Sequence, residues 1–349
     1  MSKITIKETN YRGKALLLTN DNCLIAYRKG QLIIYKNEKA LKKISLPVSL
    51  WKRILCKSRF CERILHNDVR WAIELSNDEL LFLYKSIVYK VNLTTDTIET
   101  EFTGFRGQPF SVTQVKNRIL FGDYGTNEQG EEVSIYERRE GLWSKVYTFP
   151  AGIVRHVHNI IPNKDFFYIL TGDEDNESGI WKANSDFSQV QPILIGSQQY
   201  RCCILLPADE KSGWYVTDAP SETNGLFFYS GSCITKLYSL PGTVIYGTQF
   251  RDGMVFSTTV EPEAHAKNIF DYWLSRKPGK GIQGREAKVY IFENGTLKEV
   301  ASFTHDGKPL RLFQYATVHF SNEKNGVVFF TAVNVSIDDN KIWELSMFE

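Results

Sequence analysis

The stretch VRWAIELSNDELLFLYKSIVYKVNLTTDTIETEF, residues 69–102, decides the fold. It holds an apolar run, a turn at Ser76–Asp78, a second apolar run, and a tail that alternates polar and apolar residues. Short β-branched and aromatic runs cut by turn residues read as antiparallel strands. The same layout stands upstream in ALLLTNDNCLIAYRKGQLIIYKNEKALKKISLP, residues 15–47, with Asn20–Asn22 in the place of Ser76–Asp78. Five further units follow, at 111–149, 155–194, 201–240, 244–303 and 311–347. Units of roughly 40 residues built from short strands are the mark of propeller blades. One such unit cannot bury both of its faces alone, so the ring must close. The expectation is an all-β protein, a β-propeller of seven blades with six as the alternative count, formed by residues 1–349 as one domain.

Two segments interrupt the pattern. Residues 48–67, VSLWKRILCKSRFCERILHN, space apolar residues among basic ones and lack turn signals. They are expected to form a short amphipathic helix between the first two blades. Packing on the propeller is its expected role, with contact to a membrane surface or a partner as the alternative. Residues 261–287, EPEAHAKNIFDYWLSRKPGKGIQGREA, begin helix-like and end in a Gly/Lys-rich run, expected to be a mobile loop in a flap over one face of the ring.

Composition narrows the function classes. A hydrophobic fraction of 42% and a charged fraction of 23% belong to an ordinary globular chain. A net charge of +2 argues against a nucleic-acid partner. The 17 Tyr, 22 Phe and 7 Trp suit a β core and also suit sugar faces. The polar start MSKITIKETNYRGK shows no signal peptide, and six cysteines without a disulfide framework fit a cytoplasmic location. No Gly-rich phosphate loop opens a helix and no nucleophile elbow occurs, so no cofactor is expected.

The polar residues worth singling out fall at corresponding places in successive units. RHVHN opens the fourth unit with Arg155, His156, His158 and Asn159, and Asp173 follows its next apolar run. In strand geometry Arg155, Val157 and Asn159 would share one face, and His156 and His158 the other. The third unit places Asp123 and Tyr124 after a strand, with Arg106 before the unit. The fifth offers Gln198 and Arg201 before its first strand and Asp218 and Asn224 after its second. Tyr246 opens the sixth. In an up-and-down blade both positions lie on one face of the ring, as a site at its mouth requires. Asp and Asn after a strand also serve simply as turn residues. His156 and His158 could both ligate zinc, but no third ligand stands near them in sequence, and no metal is expected.

One further pattern is WKANSDFSQVQPI, residues 181–193, in which Ser185, Asp186 and Phe187 fit the Asp-box hairpin S-x-D-x-G-x-T-W while its Gly and Trp are missing. With FGDYG, RHVHN, TGDED, GSQQYR and TDAPSETN, this order over about residues 105–250 resembles Asp-box (BNR, sialidase-like) propellers associated with bacterial polysaccharides. More distantly, the His/Tyr/Arg set is similar to the seven-bladed ulvan lyases. The resemblance implies a carbohydrate-active propeller whose partner is an acidic oligo- or polysaccharide of uronate or sialate type. It implies a lyase acting by β-elimination or a glycoside hydrolase, with His156, His158, Tyr124 and Tyr246 as catalytic candidates. Arg106, Asp123, Arg155, Asn159, Asp173, Gln198, Arg201, Asp218 and Asn224 are the substrate-binding candidates. The alternative is a non-catalytic propeller that binds a glycan or a protein.

Overall fold

The computed structural model describes residues 3–66, 68–263 and 267–348. Its strands form seven four-stranded antiparallel sheets, each a blade. Blades 1 to 6 are continuous in sequence, spanning 14–45, 69–102, 113–149, 156–195, 202–240 and 244–304. Blade 7 takes three strands from 317–348 and its outermost strand, Lys3–Arg12, from the N-terminus. The ring is thus closed by hydrogen bonds between the two ends of the chain. The polar N-terminal stretch is a structural strand, with Ile4 and Ile6 packed inward and Thr5 and Lys7 exposed.

Burial explains the sequence layout of a blade. The second strand of blade 4, Phe166–Gly172, is buried along its whole length, while its fourth, Val190–Ile195, alternates and faces solvent on one side. Strands sandwiched between neighbouring blades read as continuous apolar runs, and edge strands as alternating ones. The core follows the same logic. Its seven hydrophobic clusters each fill one gap between adjacent blades, as Tyr168, Tyr215 and Tyr229 do between blades 4 and 5. Each fully buried aromatic or aliphatic side chain contributes roughly 1.5–3 kcal/mol of transfer free energy.

The insertions differ from expectation. Residues 48–67 form two short helices, Leu50–Leu55 and Arg59–Ile64, rather than one. Arg59 and Arg63 reach out of the second to Asp339 and Asp306, so the segment is pinned to the blade 7 side of the ring. The flap carries a helix at Ile269–Leu274. Its Gly/Lys-rich run is tied down rather than loose, because Gly281 N donates to Pro220 O at 2.9 Å and Gln283 N to Pro241 O at 2.6 Å. Gly281 is required there: a Cβ would stand 1.8 Å from Glu222 O. Among the described residues no helix is long and apolar enough to cross a membrane.

The innermost strands share one irregularity. Blades 1, 2, 4, 5 and 6 each shift register near the entry end of their first strand. A bulge adds a residue to one strand and re-aims the side chains beside it. In blade 4 it falls between Val157 and Asn159 and breaks the expected alternation. Asn159 does not side with Val157; like His158 it reaches toward blade 5, where the two side chains bond the neighbouring carbonyls of Cys203 and Cys202.

Candidate functional site

The entry ends of the inner strands meet at one end of the ring, together with the loops that join second to third strands. They enclose a cavity of about 680 Å³. Its wall is built from all around the ring: Lys14, Arg70, Arg155, Arg201, Tyr246 and His319 come from six different blades or their entry loops. Both insertions leave the ring on this face. Arg59 and Glu62 from one, and Tyr272 and Trp273 from the other, line its rim.

On the blade 4 and 5 side, Asp173 is the hub. Its Oδ1 lies 3.3 Å from His156 Nε2, 3.5 Å from His158 Nε2 and 2.9 Å from Arg201 Nη2. The two imidazole Nε2 atoms are 3.0 Å apart. Burial would raise the Asp173 carboxyl, but the histidines and Arg201 outweigh it and hold it well below the usual carboxylate range. Burial takes the His158 imidazole down to about 4, against the pull of Asp173. Arg201 also donates from Nε to Asp218 at 3.3 Å. Burial pushes the Asp218 carboxyl well above its ordinary range, opposed by Arg201, and among the described residues its buried Oδ1 has no hydrogen-bond partner. The Tyr124 ring packs on His156 at 4.2 Å between centroids.

On the blade 7, 1 and 2 side the arrangement is cationic. Lys14, only 5% exposed at its side chain, pairs with Asp68 at 2.6 Å. Burial would raise the Asp68 carboxyl, yet Lys14 and Arg70 hold it down at about 2. Arg70 is half-buried in the cavity wall and donates to Gln108 at 3.4 Å. Among the described residues no carboxylate lies at ion-pair distance from its guanidinium, which sits within electrostatic reach of Asp68, Tyr246, Tyr124 and Tyr315. His319 packs against Tyr246, with ring centroids 4.0 Å apart and planes tilted by 48°, and faces the Thr317 hydroxyl at 3.2 Å. Burial drives this imidazole well below its ordinary range, so it is neutral at pH 7. Burial pushes the Tyr246 phenol up to about 12. Tyr315 donates to Glu261 at 3.2 Å on the flap side.

Of the residues singled out from sequence, Arg155, Asp173, Arg201 and Tyr246 line the cavity. His156, His158, Tyr124 and Asp218 stand directly behind them. The others brace the wall. Asp123 accepts from the backbone amides of Arg106 and Ser134 with its two oxygens, and Arg106 itself pairs with Glu131. Gln198 holds the Asp173 carbonyl, and Asn224 bonds the carbonyls of Ala219 and Glu222. Of the three arginines among the candidates, Arg155 and Arg201 line the cavity and Arg106 does not. Lys14, Asp68, Arg70, Tyr315 and His319 escaped the sequence reading. They occupy in blades 1, 2 and 7 the entry positions that drew notice in blades 3 to 6, and that positional equivalence was the available signal.

No protein-family model and no curated protein matches the chain. Among solved structures it is similar over 99% of its length to the AfRom2 CNH domain, at 8% identity and a TM-score of 0.56, with 99% of that chain covered. The extracellular domain of BT4673 from B. thetaiotaomicron matches 99% of this chain at 12% identity and a TM-score of 0.57, over 40% of its own length. The N-terminal domain of Nup159 matches the whole chain at 9% identity and a TM-score of 0.51, with 97% of that chain covered. At these identities the likeness carries the fold alone: the chain is a seven-bladed β-propeller.

Proposed function

We propose that the cavity at the ring mouth takes an acidic oligo- or polysaccharide and that the protein is a polysaccharide lyase acting on uronate by β-elimination. The observation that carries this reading is Arg70, a guanidinium in the cavity wall with no carboxylate at ion-pair distance among the described residues. A charge so placed is matched by an anionic ligand. The sugar carboxylate seats on Arg70. The neutral His319 imidazole takes the proton from the carbon next to that carboxylate, and the Tyr246 phenol gives one to the leaving glycosidic oxygen. The C–O bond breaks as the new C=C forms, so no water is consumed. His156, His158 and Tyr124, catalytic candidates from sequence, act from behind the wall by fixing Asp173 and Arg201. The order of motifs around RHVHN and the hairpin at Ser185–Phe187 support the same family of substrates.

The test is incubation with a panel of uronate-containing polysaccharides, read by the ultraviolet absorbance of an unsaturated uronate and by new reducing ends. Both signals are expected together. Reducing ends without the absorbance would replace elimination by hydrolysis. Binding without either signal would favour the second reading, a non-catalytic glycan- or protein-binding propeller. That reading has its own support in the exposed Trp51, Phe60, Ile269 and Phe270 on the two insertions at the rim.

A further inference from the structure

We infer that His156, His158 and Asp173 form a binding centre for a zinc-class divalent transition-metal ion, opening onto the ring cavity. The hydrogen bonds fix the tautomers. His156 Nδ1 lies 3.2 Å from Gly125 O and His158 Nδ1 lies 3.0 Å from Cys202 O. A carbonyl only accepts, so each Nδ1 carries the proton and each neutral ring presents a lone pair at Nε2. These two Nε2 atoms and Asp173 Oδ1 form a triangle with edges of 3.0, 3.3 and 3.5 Å. Three acceptors this close repel one another unless a proton or a metal cation sits among them, and Arg201 Nη2, 2.9 Å from Asp173 Oδ1, relieves only the carboxylate. Ligand atoms about 2.0–2.1 Å from a tetrahedral zinc are roughly 3.3 Å apart, which is the size of this triangle.

The surroundings are those of a built site. His156 and His158 retain 4% and 1% of their surface. Carbonyl acceptors on the far nitrogen of each ring are the usual support of metal-ligating histidines. Asp173 is held from outside the triangle, since Gln198 Nε2 and Arg201 Nη1 donate to its carbonyl at 2.6 and 3.1 Å. Gly172 makes room: a Cβ there would lie 2.5 Å from His158 Cε1. Asp173 and Arg201 line the cavity, so the remaining coordination position faces it and takes water or an oxygen of a bound ligand. Two imidazoles and one carboxylate select zinc and its transition-metal neighbours over magnesium or calcium. The third ligand comes from the far end of the next strand, beyond the reach of local spacing.

The centre is tested with metal alone, apart from the glycan reading. The protein is stripped with a chelator and titrated with Zn²⁺ against a chromophoric competitor, and with Co²⁺ by its visible d–d absorption. One ion per chain is expected, with affinity reduced at least about 100-fold in His158→Gln and Asp173→Asn and about 10-fold in Gln198→Ala. Uptake well below one equivalent, or uptake unchanged by His158→Gln and Asp173→Asn, overturns the proposal. The latter outcome would place the ion elsewhere; the former would leave a proton shared between the imidazoles. If the ligand variants fail to fold, the wild-type cobalt titration decides alone, and absence of d–d bands saturating at one equivalent rejects the centre.

Discussion

The two sides of the ring mouth use the same position in the blade for opposite ends. Both set a partly buried carboxylate beside cations and imidazole. On the blade 4 and 5 side two imidazole Nε2 atoms converge on the Asp173 carboxylate, a set of nitrogen and oxygen ligand atoms side by side. On the blade 7, 1 and 2 side Asp68 is already matched by Lys14, and Arg70 stands over to face the cavity as a positive charge. One wall is suited to a cation, the other to an anion. The lesson is that charge count does not define such a site. What matters is which groups remain unmatched after the internal pairs are made.

The largest expected effect separates the walls by chemistry. His319→Gln and Tyr246→Phe should each lower kcat on an acidic polysaccharide by about 10²–10⁴, the usual size of a general acid–base contribution. Metal uptake by the blade 4 wall should be unchanged in both. Arg70→Met should instead raise KM most strongly. If His319→Gln leaves the rate intact while removing metal, the two walls do not divide the work as described.

Stability should divide them next. Asp68→Ala leaves Lys14 buried without its partner and should cost about 3–5 kcal/mol, measured by denaturant unfolding. Asp173→Ala should cost less, about 1–3 kcal/mol, because Arg201 keeps Asp218 as an ion-pair partner. The double variant Asp68→Ala with Lys14→Met should recover most of the first loss. Equal costs at the two carboxylates would erase the distinction.

The acid limb of stability gives a third contrast. Asp68 has a folded pKa of about 2, below the unfolded value of about 3.9. A depressed carboxyl stabilises above its unfolded pKa, and that contribution fades as pH falls toward the folded one. The wild type should therefore lose up to about 2 kcal/mol between roughly pH 4 and pH 2 through this group. The 30% of the Asp68 side chain left open makes that a ceiling. Asp68→Asn should flatten the stability–pH curve in this window, and an unaltered slope would assign the acid sensitivity elsewhere.

Much of the fold was legible because burial on both faces writes itself into sequence as continuous apolar runs, as at Phe166–Gly172. The closing strand was not. Lys3–Arg12 is an edge strand with only one face packed, and its partner lies at the far end of the chain. The site was half legible. Arg155, Asp173 and Arg201 announced themselves as dense polar clusters, whereas Lys14, Arg70 and His319 are single residues among apolar neighbours. The bulge that brings Asn159 round beside His158 depends on register with a partner strand, which spacing along one strand does not carry.

The smallest effect is expected at Arg155, and it sharpens the comparison most cleanly. Arg155 lines the cavity, as Arg70 does, but it is spent: its Nε pairs with Glu177 at 2.9 Å and its Nη2 approaches Glu174 at 3.8 Å. Its side chain is 24% exposed, and a partly exposed pair of this kind is worth roughly 0–1 kcal/mol. Arg155→Ala should therefore change stability by less than about 1 kcal/mol and KM by a few-fold at most. Arg70→Met, which removes a guanidinium without an ion-pair partner among the described residues, should raise KM far more in the same assay. Equal rises would mean that the ligand carboxylate seats on the blade 4 rim. The unmatched charge of Arg70 would then be answered inside the protein by Asp68 and the surrounding tyrosines rather than by substrate.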